Sequence, residues 1–201
     1  MPVITTGIGT AVYPHLNKPD KKFDKDGPGV YQVSLRLPDE DADILISLLE
    51  EHHTEEYDKT CTEKKKPSLK QHTPPWAEEL DDDGNATGHH LFKFKMKAAT
   101  KTGVKMRPVL FDAKRQPLNE NIGGGTKMKI AFEPSCWFVP ALGFGMTLRL
   151  KGVQVIELVE YSGGLSAEGL GFGEEEGFET ASASLASATT TETDGLENAD
   201  F

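Results

Sequence analysis

Polar and apolar residues alternate with period two in GVYQVSLRLP at 29–38, with Tyr31, Val33, Leu35 and Leu37 on one side and Gln32, Ser34 and Arg36 on the other. That pattern predicts a half-buried strand, which Pro38 ends. Acids at Asp39, Asp41 and Asp43 then suit a helix N-terminus, and Ile44, Leu45, Leu48, Leu49 and His52 recur at three and four, predicting an amphipathic helix over 40–60. Alternation resumes in the second half. LFKFKMKAAT at 91–100 puts Phe92, Phe94 and Met96 opposite Lys93, Lys95 and Lys97; VKMRPVLFD at 104–112 follows a turn at Lys101, Thr102 and Gly103. TKMKIAFEP at 126–134 sets Met128, Ile130 and Phe132 against Lys127 and Lys129, and its far end is expected to turn through Pro134 and Trp137. GMTLRLKGVQVIELVEY at 145–161 places Leu148, Leu150, Val153, Val155 and Leu158 along one or two strands, with Gly152 the candidate for a bulge. Between these runs, 15–29, 64–88 and 112–125 read as loops, the second anchored by Trp76.

Five or six strands with one early helix predict a mainly β fold: an OB-fold five-stranded barrel capped by one α-helix. The chain has 201 residues, enough for one domain and a tail. The expected domain is 1–161. Residues 162–201 are Gly, Ser, Thr, Ala and Glu with isolated Phe and Leu, a composition that buries too little to offset chain ordering, so an acidic disordered tail is expected there.

Composition narrows the setting. No run approaches the eighteen or so apolar residues of a membrane span, and the N-terminus lacks the pattern of a secretory signal. No membrane association is expected, and the expected location is a cytoplasm. Cys61 and Cys136 are too few for a disulfide framework, in keeping with a reducing compartment.

Net charge is -10, which taken whole argues against a nucleic-acid ligand. Its distribution argues for one. All 22 Lys and Arg lie before residue 152, whereas the last 41 residues hold nine acids and no base. Residues 39–88 carry 15 acids against 5 bases, and residues 89–160 carry 12 bases against 5 acids, or -10 beside +7. A basic segment followed by an acidic tail reads as a polyanion-binding body that carries its own competitor.

Lysines at every second strand position stand about 7 Å apart on one face, a regular line of cations for a chain of phosphates. Base stacking requires an aromatic beside them, and Trp137, next to Phe138, is the candidate. The same tryptophan also suits an ordinary core position. Adjacent histidines, His52 with His53 and His89 with His90, point apart on a helix or strand, so with Cys61 they make a poor metal site. The Gly123 to Lys127 run lacks phosphate-loop spacing and precedes a strand, so a flexible turn is expected. No nucleophile elbow or paired-carboxylate motif is present. Neither an enzyme nor a cofactor is expected.

The blocks GVYQVSLRLP at 29–38, FKFKMKA at 92–98, VLFDAK at 109–114, IGGGTKMKIAF at 122–132 and LRLKGVQVIELVEYSGG at 148–164, with an acidic tail ending in Phe201, resemble the single-stranded DNA-binding proteins of T-seven-like short-tailed bacteriophages. The resemblance implies an OB-fold homodimer acting in phage replication, recombination, repair and strand annealing. It maps DNA-contacting lysines onto Lys93 and Lys95 and a stacking aromatic onto Trp137, where relatives have tyrosine. It maps a terminal aromatic that docks the phage DNA polymerase and primase-helicase onto Phe201. Two family cations are absent, with Pro28 and Ala131 at their positions; Arg36 or Lys129 stands in for them.

The expected function is thus binding and protection of single-stranded DNA with little sequence preference. Lys93, Lys95, Lys97, Lys127, Lys129 and Trp137 are the expected contacts, helped by Lys105, Arg107 and Arg36. The tail, through Glu174, Glu175, Glu176, Asp200 and Phe201, is expected to compete with DNA and dock replication partners in the cytoplasm of the bacterial host. The alternative is a phage interaction or assembly protein acting through its acidic segments, without nucleic acid.

Overall fold

A computed structural model describes residues 3–22 and 25–161. The chain runs β1 (Ile4–Thr5), β2 (Gly9–Asp20), β3 (Val30–Pro38), α1 (Asp39–Lys64), β4 (Trp76–Leu80), β5 (Ala86–Lys97), β6 (Val109–Phe111), β7 (Lys127–Val139) and β8 (Gly143–Glu157). β2 pairs with β3, β3 with β5, β5 with β8, β8 with β7, and β7 again with β2. That circuit is a closed five-stranded barrel. Every neighbour in it is antiparallel except β5 and β8, which run parallel. This is the OB order the sequence predicted. β1 extends the sheet beside β7, β4 pairs with β5, and β6 pairs with β8.

Alternation decides which side chains fill the barrel. Phe92 and Phe94 of β5, Ile130 and Phe132 of β7, and Leu148 and Leu150 of β8 are buried inside, with Phe94 and Phe132 meeting edge to face at 5.0 Å between centroids. In β8 the inward set passes from Leu148 and Leu150 to Val153 and Val155, an odd step. The register shift that absorbs it lies where Gly152 pairs with Ala131 and Leu150 with Phe132, so the bulge falls at Lys151 and Gly152.

The helix covers 39–64 and buries Ala42, Leu45 and Leu49, a stripe at three and four. Ile44 and Leu48, predicted for that stripe, are exposed. They sit about 100° from the buried line at 3.6 residues per turn, so only a narrow strip of the helix meets the sheet. Tyr57 then fixes the returning chain, its hydroxyl accepting from the Leu69 N–H at 2.8 Å and donating to the Leu69 carbonyl at 3.0 Å.

Four boundaries differ from the sequence expectation. Residues 15–20, read as loop, continue β2, because a long strand with bulges tolerates polar and proline residues outside the central ladder. The segment 64–88 contains β4, with Trp76 opposite Phe92, ring centroids 6.3 Å apart. Trp76 is therefore an anchor within a hairpin whose turn, Asp81 to Asn85, is held by the Asp81 carboxylate. The expected strand at 104–112 shrinks to Val109–Phe111. β7 does not turn at Pro134 but runs on to Val139, since Pro134 lies past the residues that pair with β1 and β2, where one edge of the strand needs no ladder bond. The expected tail, with Glu174, Glu175, Glu176, Asp200 and Phe201, lies outside the described residues.

Candidate nucleic-acid interface

Inward Phe92 and Phe94 force Lys93, Lys95 and Lys97 outward, and all three are exposed. Cross-strand pairs share a face, so Lys95 stands beside Arg149 of β8 on one side and Gln32 of β3 on the other. The next outward residue of β8 is Lys151. These chains border a cleft of about 570 Å³ whose lining includes Lys95, Lys97, Lys101, Arg149, Lys151 and Trp137.

Trp137 is half-buried and stands outside the core cluster, so it is not an ordinary core tryptophan. It pairs with Gly145 across β7 and β8, and its indole lies over that glycine: a Cβ there would sit 2.6 Å from Cζ2. The indole N–H donates to Thr147 Oγ1 at 3.0 Å, and the His72 ring meets it edge-on at 5.3 Å. A fixed aromatic plane at the mouth of a cationic cleft suits a base above it and phosphates alongside. Neighbouring Cys136 points the other way, against the core, and burial pushes its thiol up to about 11, so it is a protonated packing group.

One of the cations lining the cleft has an acidic partner outside the lining. Glu133 Oε2 lies 2.7 Å from Lys151 Nζ, and that hydrogen bond holds the carboxyl below its ordinary range. Lys151 is thus partly neutralised, and any anion approaching it has to displace Glu133.

The other predicted residues are spread more widely. Lys93 projects from the same face as Lys95 but does not line the cleft; its backbone N–H donates to the Pro75 carbonyl at 2.8 Å. Lys105 is exposed in the bridge that pairs it with Ala99, and Arg107 borders a separate cleft beside Lys18. Arg36 donates to Glu79 at 3.0 Å from Nε, an ion pair between β3 and β4. Burial pushes the Glu79 carboxyl up, but hydrogen bonds from Arg36 and Thr87 leave it below its ordinary value. Lys127 lies 3.8 Å from Glu157, and Lys129 pairs with Gln154. They occupy the opposite end of β7 from Trp137, about 27 Å along the strand for Lys129, so the structure does not bring them to this cleft.

Lys101, Arg149, Lys151 and Gly145 were not among the predicted site residues. Arg149 and Lys151 were readable, because inward Leu148 and Leu150 oblige them to point outward. Lys101 and Gly145 were not, since their roles depend on which strands and turns become neighbours.

The sequence profile of the family described as single-stranded DNA-binding protein, bacteriophage T7, matches residues 8–158. The crystal structure of the single-stranded DNA-binding protein encoded by bacteriophage T7 is similar over 80% of this chain and 94% of that one, with 26% identity and a TM-score of 0.67. The single-stranded DNA-binding protein from bacteriophage Enc34, in complex with single-stranded DNA, shares the fold at 17% identity and a TM-score of 0.59, over 80% of this chain and 89% of that one. A C-terminal truncation of the Enc34 protein aligns at 18% identity and a TM-score of 0.57, over 79% and 87%. Among curated protein sequences none matches. With the profile covering three quarters of its length, the chain belongs to the bacteriophage T7 single-stranded DNA-binding protein family.

Proposed function

We propose that the barrel binds single-stranded DNA with little sequence preference, coating and protecting it, and that the Trp137 cleft is where strand and protein meet. The observation that carries this reading is the indole laid over Gly145 beside Lys95, Lys97, Arg149 and Lys151. Stacking is blind to sequence because every base has a π-face, and the cations address only the backbone. Lys93 and Lys105 flank the cleft as further phosphate contacts and Arg107 adds one at the neighbouring cleft, whereas Arg36, Lys127 and Lys129 contribute less because of their partners and positions. The protein acts by binding rather than by a catalytic step.

The larger roles rest on family membership. The body, 1–161, supports phage DNA replication, recombination, repair and annealing in the cytoplasm of the bacterial host, as a homodimer. The tail, 162–201, competes with DNA for the cationic face, and when displaced it offers Glu174, Glu175, Glu176, Asp200 and Phe201 to the phage DNA polymerase and primase-helicase. Direct binding measurements test the core of this. Full-length protein is titrated into labelled dT oligonucleotide at two salt concentrations, beside Trp137→Ala. Steep salt dependence and a loss of about tenfold or more in the variant are expected. Equal binding by both proteins would refute the cleft, and affinity for a basic protein with none for DNA would favour the alternative of an acidic interaction protein.

A further inference from the structure

A second and larger cleft, of about 870 Å³, lies on the outer surface of β2. It is bordered by Thr10 to Lys18, by Arg36, by the Asn121 to Gly125 turn and by Tyr161. Two of its aromatic side chains are turned to solvent: Tyr13 is 84% exposed and Tyr161 63%. Tyr13 is unusual in another way. It occupies a break in the β2–β3 register between Val12 and His15, with φ at +48°, in the left-handed region that costs an L-residue about 1–2 kcal/mol. Inward Ala11 and inward Leu16 are an odd number of residues apart, so the strand must make such a break somewhere. The break holds a large aromatic in a strained conformation and points it into water, where it makes no contribution to the core. Strain of this kind is a pointer to a binding role.

Three cations stand in or beside this cleft, two of them with acidic partners, Glu79 for Arg36 and Glu157 for Lys127. Arg36, Thr10 and Lys127 stand side by side across β3, β2 and β7, and Lys18 lines the cleft further along. The cleft is also joined to the first one. Arg149 pairs with Lys95, Lys95 with Gln32, and Gln32, whose amide donates to Asp20, with His15, an outward row across β8, β5, β3 and β2. Three strand spacings make that row about 14 Å long. A strand leaving the Trp137 cleft over Arg149 and Lys95 therefore reaches Tyr13 without leaving the barrel surface.

We propose that Tyr13 and Tyr161 form a second base-stacking subsite for single-stranded nucleic acid, continuous with the Trp137 cleft through Arg149, Lys95, Gln32 and His15. Bound strand crosses the barrel from β8 to β2, stacking on Trp137 at one end and on tyrosine at the other, with Lys18, Arg36 and Lys127 taking phosphates at the second end. On binding, Arg36 exchanges Glu79 for phosphate. Lys127, displaced from the Trp137 cleft, thereby regains a role at the other end of the same track. The proposal rests on the reading of the barrel as a single-strand binder.

Oligonucleotide length separates the two. Full-length wild-type protein, Tyr13→Ala, Tyr13→Phe, Tyr161→Ala and Trp137→Ala are titrated with dT oligonucleotides at the two ends of the range of about 4–16 nucleotides that one OB-fold occupies. Tyr13→Ala and Tyr161→Ala are expected to weaken the longer oligonucleotide by about fivefold to tenfold each and to leave the shorter unchanged, while Tyr13→Phe binds as wild type. Trp137→Ala is expected to weaken both. Unchanged binding of the longer oligonucleotide by both tyrosine variants would overturn the second subsite while leaving the first intact. An equal loss on both lengths would also overturn it, because the effect would then not belong to a distal site. Failure of wild-type protein to bind either length would remove the reading of the barrel itself.

Discussion

Two sets of alternating lysines in this barrel have the same sequence pattern and different surroundings. On β5, Lys95 and Lys97 border one cleft with Arg149, Lys151 and the indole of Trp137, and Lys93 projects from the same face just outside it. Lys127 and Lys129 on β7 stand beside Glu157 and Gln154, at the far end of the strand from that indole. Period-two alternation fixes which way a side chain points, and it did so correctly for both sets. It carries no information about the neighbouring strand. A site for a polyanion needs several cations together with a stacking surface, so the pairing of β5 with β8 separates the first set from the second.

The largest expected effect comes from removing the space under the indole. Gly145→Val places carbon where Trp137 Cζ2 now lies 2.6 Å from an ideal Cβ, so the ring must swing away. Affinity for dT oligonucleotide is expected to fall about tenfold or more, approaching Trp137→Ala, because either change removes one stacked base. Fluorescence anisotropy measures it. Melting is expected to move little, because Trp137 lies outside the core.

Charge removal sharpens the contrast between the two lysine sets. On an oligonucleotide short enough to occupy only the Trp137 cleft, Lys95→Ala and Arg149→Ala are each expected to lower the salt slope of log K by somewhat less than one unit, about 0.7 for a single strand. Lys129→Ala is expected to leave that slope where it was. Equal slopes for Lys95→Ala and Lys129→Ala would erase the distinction.

A third change works in the opposite direction. Glu133→Gln frees Lys151 from its 2.7 Å partner, so binding is expected to tighten by about threefold and to become more salt-dependent, as measured in the same titrations. Replacing Glu157, the partner of Lys127, is expected to do nothing for the short oligonucleotide.

The smallest effect lies away from both sets. His53 packs against Phe144, ring centroids 5.0 Å apart, and burial lowers its pKa below the ordinary 6.5; Glu50 opposes that shift and His52 adds to it. A histidine whose folded pKa is depressed binds fewer protons folded than unfolded, so its contribution is complete above pH 6.5 and is lost as pH falls toward the folded value. Thermal melts are expected to show a modest loss of stability below pH 6.5, shallower in His53→Phe. Such a variant is expected to bind dT oligonucleotide as wild type does, since His53 faces the helix side of the barrel.

The fold was largely legible because its main strands announce themselves. β3, β5 and β7 alternate cleanly, β8 alternates on either side of its bulge, and buried Phe94 and Phe132 lie where the period put them. β2 was partly hidden, since bulges at Tyr13 and beyond break the period, and Pro19 and Asp20 imitate a loop. β4 was missed because Trp76 is its chief apolar anchor. Of the residues lining the candidate cleft, Lys95 and Trp137 were readable, the first from its period and the second from its place beside an alternating strand. Their juxtaposition with Lys101 and Gly145 was not, because it is set by the parallel pairing of β5 with β8 and by the hairpin of β7 with β8. Tyr13 gave no sequence signal beyond an aromatic before a proline.

The protein has two tryptophans, and they report from opposite environments: Trp76 packs against Phe92 beside the core, and Trp137 lies on the outer face. Quenching of intrinsic fluorescence during titration with dT oligonucleotide, in wild-type protein and in Trp137→Phe, therefore tests the central claim most directly. Saturable quenching that weakens steeply with salt, and that disappears in Trp137→Phe while Trp76 still emits, is the expected result. Binding accompanied by undiminished quenching in Trp137→Phe would contradict it, because the strand would then be meeting another part of the molecule.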